Sequence, residues 1–149
     1  MKSRTRLLTL VTLVILILGI TWLSFSTRNQ EPAQTFPATV NRDCAPWDGA
    51  AFTISIPYNS TTIIQISIWQ APDIKLPSSF VIPDDAKQIG YAYIQPESGP
   101  VIQLNGDVSF QRVEVDTPVE GRFSFTSERG GQFEGEFKAE WGTQVIMCG

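Results

Sequence analysis

The sequence predicts an all-β domain, an antiparallel β-sandwich or small barrel, preceded by a single N-terminal transmembrane helix. Three observations lead to this prediction: a long uncharged apolar run near the N-terminus, apolar residues that alternate with polar ones from about residue 50 onward, and two cysteines that bracket the alternating region. A period of two is typical of half-buried strands. Several short strands separated by turn signals are typical of sandwiches and barrels.

The apolar run, Leu7–Phe25, is long enough to cross a membrane. At about 1.5 Å per residue, a helix of this length spans about 28 Å, close to the ~30 Å hydrocarbon core of a bilayer. Three basic residues precede the run, Lys2, Arg4 and Arg6, and only Arg28 lies just after it. This bias predicts a single-pass cell-membrane protein with a cytoplasmic N-terminus and its domain on the extracytoplasmic side.

A cleaved signal peptide is the alternative interpretation of the same run. The run exceeds the ~7–15 residues of a signal-peptide core, and no A-x-A cleavage site follows it. Ser24-Phe25-Ser26 is a weaker small-x-small site and leaves cleavage open. We therefore predict four segments: a basic cytoplasmic tail (1–6), a signal-anchor helix (7–25), an extracytoplasmic spacer (26–43) and the β-domain (44–149).

Composition excludes several kinds of chemistry. The chain has no histidine, which removes the commonest general base and the commonest zinc and haem ligand. From Asn29 onward, seven basic residues stand against fifteen acidic ones, a net charge of −8. A domain of that sign lacks the electrostatic footprint of a nucleic-acid-binding protein. We therefore expect no cofactor and no nucleic acid.

Cys44 and Cys148 lie at opposite ends of the exported part. In an oxidising compartment this arrangement predicts one disulfide that joins the ends of the domain. In the chain-entropy model, closing a loop of about 100 residues contributes up to ~4.7 kcal/mol to stability.

The alternating runs give the individual strands. The run Thr61–Trp69 is the most regular, and similar patterns surround Ile54 and Tyr91. Three prolines in Ala71–Asp85 predict a loop, and Val145–Met147 is predicted to form a short final strand. Asn105-Gly106 is the pair preferred in two-residue hairpin turns, so we predict a hairpin there. A change of phase near Gln111-Arg112 predicts a β-bulge.

The last hairpin is the most fully specified element. A loop at Glu128-Arg129-Gly130 would pair residues whose numbers sum to 258, which sets Phe125 opposite Phe133. The same register places two opposite-charge pairs on the outer face, Arg122 with Glu136 and Glu120 with Lys138. A shift of one residue would turn the phenylalanines toward water.

Aromatic residues are the best candidates for a binding surface. Tryptophan and tyrosine are enriched in protein interfaces and also stack against sugars. Trp69 is the strongest candidate, because it falls on the opposite strand face from the three isoleucines before it. The candidate binding surface is Trp47, Trp69, Trp141, Tyr91 and Tyr93.

Carboxylates give a weaker indication of a catalytic or metal site. Glu134 and Glu136 share one strand face and could meet the separation that a glycosidase requires. A solvated sheet face interleaved with Lys138 is the simpler interpretation. Acidic residues elsewhere occur in turn sequences, and no calcium-loop motif is present. We therefore predict no metal site and no catalytic residue.

These observations leave three functional hypotheses. The leading one is a non-enzymatic, membrane-anchored extracytoplasmic β-domain that acts as a binding or structural module, in one version an accessory subunit of a membrane protein complex. The alternative is a carbohydrate- or cell-wall-binding domain, which predicts a coplanar row of Trp and Tyr. The second alternative is a small carboxylate-based hydrolase with Glu134 and Glu136 in a cleft. Because fold does not determine function, the surface must discriminate among them.

Overall fold

A computed structural model describes residues 33–72, 79–83, 89–144 and 146–148. The described residues form eight strands and contain no helix, which confirms the all-β prediction. The strands are β1 (Thr35–Cys44), β2 (Ala50–Asn59), β3 (Thr62–Ile68), β4 (Ser79–Ile82), β5 (Gly90–Pro96), β6 (Ile102–Arg112), β7 (Val119–Ser127) and β8 (Gln132–Trp141).

The predicted transmembrane helix, Leu7–Phe25, lies outside the described residues. In the part of the chain that the structure describes, no helix is long and apolar enough to cross a membrane. The compact unit that contains all eight strands begins at Ala33.

Seven of the strands close into a barrel, so the sandwich form of the prediction is wrong and the small-barrel form is correct. Around the barrel the order is β6-β5-β3-β2-β1-β8-β7, and β7 pairs again with β6. The remaining strand, β4, lies outside this ring. It pairs with residues 106–109 of β6, next to the stretch 102–104 where β5 pairs with the same strand.

The barrel contains one parallel pair, which corrects the prediction of a purely antiparallel sheet. Strand β1 runs parallel to β8, from Thr35 beside Glu136 to Val40 beside Trp141. The other six junctions of the ring are antiparallel. Strand directions can alternate around a closed ring only if the number of strands is even. Seven strands therefore require at least one parallel junction.

Residues 35–43, which the sequence assigned to a spacer, form most of β1, so the predicted domain boundary is wrong. Phe36, Ala38 and Val40 alternate into the core and are buried. Pro37 points outward in the first half of β1, before pairing with β2 begins at Thr39. Proline is tolerated where a strand lacks a neighbour on one edge. Proline in this segment therefore indicated a linker, although the segment forms a strand.

The predicted hairpin at Asn105-Gly106 is also wrong, because β6 continues through both residues. Gly106 pairs with Phe125 on one side and with Ile82 on the other. Its φ of 152° is one that L side chains rarely adopt, and an added Cβ would lie 2.1 Å from the Ser124 carbonyl oxygen. The glycine is needed here for close strand approach rather than for a turn.

Two further predictions differ from the structure, one in a proline-rich segment and one at the C-terminus. Strand β4 lies within Ala71–Asp85, which was predicted to be a loop. It was missed because it is only four residues long and lies between Pro77 and Pro83. Within the predicted final strand, Ile146 and Met147 are not in a strand, and Val145 lies outside the described residues.

The final hairpin, the bulge and the disulfide are confirmed. Strands β7 and β8 pair in the predicted register, with Phe125 opposite Phe133. Both predicted ion pairs form, at 2.7 Å for Arg122–Glu136 and 3.1 Å for Lys138–Glu120. The register of β6 shifts between Phe110 and Arg112. The Cα atoms of Cys44 and Cys148 lie 5.6 Å apart, and the two residues are disulfide-bonded.

The core fills the inside of the barrel with aliphatic and phenylalanine side chains. Ile54, Ile66 and Leu104 are fully buried at its centre. At the end where β1 begins, which we call the Thr35 end, Tyr58 stacks on Phe36 with ring centroids 4.9 Å apart. The opposite end, which carries the disulfide, is called the Cys44 end.

Gly121 provides a test of this packing. A Cβ at this position would lie 2.4 Å from the Ser109 carbonyl oxygen and 2.6 Å from the Phe137 ring. We expect Gly121→Ala to lower the free energy of unfolding by about 1–3 kcal/mol, since overpacking displaces backbone and side chains. Urea unfolding of the full chain in mild detergent measures this. Ser124→Ala, on the exposed face of the same strand, should change it by less than about 0.5 kcal/mol. An unchanged stability of Gly121→Ala would contradict the close β6–β7 approach.

Candidate binding surface

Four aromatic side chains contact one another in series on the outer face of the barrel toward the Cys44 end. The ring centroids of Trp47 and Trp69 are 5.6 Å apart, and those of Trp69 and Tyr91 are also 5.6 Å apart. Tyr91 stacks on Tyr93 at 5.4 Å with an angle of 18° between the rings. We call these four residues the aromatic surface.

The backbone positions each of these rings. Trp47 lies in the loop between β1 and β2, which is closed by a hydrogen bond from the Ala45 amide to the Gly49 carbonyl at 2.7 Å. Trp69 directly follows β3, and its amide donates to the Ile89 carbonyl. Tyr91 and Tyr93 occupy alternate positions of β5, so both face away from the core.

Part of the aromatic surface is open to solvent. Trp47 is 55% exposed and Tyr91 is 37% exposed, whereas Trp69 and Tyr93 are half-buried. Large exposed apolar side chains that lie together are typical of interaction sites. The exposed rings therefore mark the best candidate for a binding surface among the described residues.

A polar network lies on β1, β2 and β3, next to the elements that carry these rings. The Thr53 hydroxyl donates to Oδ2 of Asp43 at 2.7 Å, and the hydroxyls of Thr53 and Ser67 are 2.8 Å apart. Because Thr53 gives its proton to the carboxylate, Ser67 must be the donor to Thr53. The Cys44 amide donates to the other oxygen of Asp43. The Asp43 carboxylate thus accepts one hydrogen bond from the Cys44 amide and one from a chain of two hydroxyls, in which Ser67 donates to Thr53 and Thr53 donates to Asp43.

Strand register explains why these groups meet. Thr53 on β2 pairs with Ser67 on β3, and Ser67 pairs with Tyr91 on β5. Two residue pairs toward the Thr35 end, Gln65 pairs with Tyr93 and accepts a hydrogen bond from its hydroxyl at 2.5 Å. Ser67 faces outward yet is only 2% exposed. The outer face is therefore covered at this point.

The Tyr93 phenol has a perturbed acidity. Partial burial raises its pKa above the ordinary value, and the nearby Tyr91 phenol and Asp43 carboxylate raise it further. Both burial and a neighbouring negative charge disfavour the tyrosinate. The contribution of Asp43 places its negative charge within electrostatic range of the tyrosines.

Trp141, the fifth residue of the predicted binding surface, lies elsewhere. Its indole nitrogen donates to the Glu114 carbonyl at 2.9 Å and to the Thr117 carbonyl at 2.8 Å. The ring packs against the edge of the core. Trp141 therefore fastens the β6–β7 loop to the barrel and is not part of the aromatic surface.

The carboxylates considered for hydrolysis lie on the outer face of β8. Glu134 is exposed, and Glu136 is occupied by its ion pair with Arg122. Within residues 33–72, 79–83, 89–144 and 146–148, no group of three or more acidic or cysteine side chains is arranged to hold a metal ion.

Sequence reasoning missed Asp43, Thr53 and Ser67. Asp43 was assigned to the spacer. The alternation of Ser67 with isoleucines indicated an outward position, but it gave no information on which strands are neighbours. Only strand pairing brings the three side chains together.

Comparison of the chain with protein-family models, with curated proteins and with solved structures finds no match.

The polar network can be tested through Tyr93. We expect Asp43→Asn to lower the Tyr93 pKa, which should remain above its ordinary value because burial, the largest cause, persists. NMR of carbon-labelled tyrosine in the full chain can follow this ionisation, because the chain has only three tyrosines. Glu140→Gln, which removes an exposed carboxylate on β8, is the control.

The raised pKa also makes a prediction about stability. Since the folded-state pKa lies above the unfolded one, the stabilising contribution of Tyr93 is complete below the unfolded pKa of about 10 and is lost as pH rises through the folded value.

The Asp43→Asn experiment has a clear contrary outcome. A Tyr93 pKa that is the same in Asp43→Asn and in the unchanged protein would contradict an electrostatic contact between the two groups.

Proposed function

We propose that this protein is a non-enzymatic binding module anchored in the cell membrane, with its barrel on the extracytoplasmic side, and that it binds a partner protein through the aromatic surface. The observation that supports this proposal is the series of four contacting rings, of which Trp47 and Tyr91 are exposed. Tryptophan and tyrosine are the residue types enriched among the energetic centres of protein interfaces.

Ring geometry favours a protein partner over a carbohydrate. A sugar-binding platform would present coplanar faces, as the carbohydrate hypothesis predicted. Here the rings of Trp47 and Trp69 are at 82° to each other, and those of Trp69 and Tyr91 are at 62°. Tyr91 and Tyr93 are nearly parallel but stack on each other. A protein side chain can contact ring faces and edges that point in different directions, whereas a sugar chain that stacks along a row of rings requires coplanar faces.

The hydrolase alternative has less support than binding. The chain contains no histidine, and the two carboxylates it would use lie on a solvent-facing strand, where Glu136 is paired with Arg122. The accessory-subunit version remains the more specific form of our proposal.

A partner-capture experiment tests the binding surface. Full-length protein extracted from native membranes with mild detergent should migrate on blue-native gels with a stoichiometric partner, identified by mass spectrometry. We expect Trp47→Ala to weaken that association roughly thirtyfold, the effect of losing about 2 kcal/mol at an interface centre. Val81→Ala is the matched control, because Val81 is 58% exposed but lies on β4.

Three outcomes would count against this proposal. Migration without a partner would exclude a stable complex, and a partner retained by Trp47→Ala would place the interface elsewhere. Loss of the partner in both variants would indicate a nonspecific apolar association and would likewise exclude the proposed surface.

The anchor is tested separately. We expect the protein to remain in membranes after an alkaline carbonate wash, because a helix formed by Leu7–Phe25 would span the bilayer. N-terminal sequencing of the mature protein should find the basic tail intact. A mature N-terminus after Ser26 would show that the segment is a cleaved signal peptide.

A further inference from the structure

The Asp43 carboxylate has binding capacity that the barrel does not use. Its two oxygens accept one hydrogen bond each, from the Cys44 amide and the Thr53 hydroxyl. An ionised carboxylate offers about four acceptor positions. The ion pairs among the described residues are Arg112–Glu114, Arg122–Glu136 and Lys138–Glu120, and none of them includes Asp43.

This carboxylate is held near the aromatic surface by the polar network. Ser67 and Thr53 link it across β3 and β2 toward Tyr91 on β5. The Asp43 carboxylate also raises the pKa of Tyr93, after the larger effect of burial and that of Tyr91. The barrel therefore holds a carboxylate on the same outer face as the aromatic surface.

Aromatic faces and a carboxylate attract the same kind of ligand. The face of an aromatic ring carries negative electrostatic potential and binds cations, most often the guanidinium group of arginine. A carboxylate pairs with the same guanidinium through hydrogen bonds. The angled arrangement of Trp47, Trp69 and Tyr91 offers faces and edges in different directions rather than one flat platform.

We propose that the aromatic surface, together with Asp43, binds an arginine side chain of the partner protein. This inference rests on the proposed function, because it names the chemistry of the partner that the aromatic surface would bind. The guanidinium group packs against the exposed ring of Trp47 and the half-buried ring of Trp69, and it orients its N–H donors toward the free acceptor positions of Asp43.

Charge and geometry favour an organic cation over the other simple ligands. The net charge of −8 beyond residue 28 attracts cations and repels anions at long range. Metal ions such as calcium require six to eight oxygen ligands, and the described residues contain no group of acidic side chains suited to one. An arginine side chain uses both the apolar rings and the carboxylate.

Blocked amino acids test this proposal directly. The full chain labelled with fluorotryptophan and held in detergent gives one fluorine resonance for each of Trp22, Trp47, Trp69 and Trp141. N-acetyl-arginine amide is titrated at low ionic strength, where charge attraction is least screened. N-acetyl-citrulline amide, which has nearly the same shape but no charge, is the matched probe.

We expect the arginine probe to shift the Trp47 and Trp69 resonances, with a dissociation constant on the order of a millimolar. Trp22 and Trp141 should not move, and the citrulline probe should have little effect. Asp43→Asn should weaken binding about fivefold, the scale of losing a partly exposed charge contact. Glu140→Gln should leave the affinity unchanged, since Glu140 lies on β8, away from the aromatic surface.

Three outcomes would overturn the inference: no shift with either probe, equal shifts with both, or equal affinities for Asp43→Asn and the unchanged protein. Each of these outcomes can be distinguished from failure of the proposed function. If Trp47→Ala loses the native partner but the arginine probe does not bind, then the partner uses the aromatic surface through other groups.

Discussion

Closure of the barrel by the parallel pairing of β1 with β8 is the constraint on which the rest of the structure depends. Seven strands cannot close with antiparallel junctions alone, so one parallel junction is obligatory. The first half of β1 supplies it, and the second half pairs with β2. Without β1, strands β2 and β8 would each expose an unpaired edge, which invites association with other chains. The residues that look least like a strand in the sequence therefore complete the fold.

The same closure determines where the disulfide and the polar network form. Strand β1 ends at Cys44, and β8 ends at the same end of the barrel, so only a short segment is needed to bring Cys148 to its partner. The residue before Cys44 is Asp43, which the pairing of β1 with β2 holds beside Thr53. The disulfide and the Asp43 carboxylate are therefore neighbours, because Asp43 and Cys44 are the last two residues of β1.

The proposed binding surface combines apolar and electrostatic recognition. Exposed rings provide contact area at little entropic cost, since aromatic side chains have few rotatable bonds. In our proposal the carboxylate provides orientation and selects a positively charged partner group. The barrel interior is packed with buried side chains, so we propose recognition on the outer face. This arrangement differs from that of larger barrels, which hold ligands inside.

The sequence by itself determined the local structure. Alternation identified β2, β3 and β5, and three agreeing features, the apolar pattern, the turn residue and the charge pairs, determined the register of β7 with β8. Cysteine positions were enough to predict the disulfide. Only the tertiary structure decided which strands are neighbours around the barrel. Pro37 and Asn105-Gly106 have strong local preferences that long-range pairing overrides. The polar network was invisible for the same reason, because three residues on different strands become one site only when their register is known.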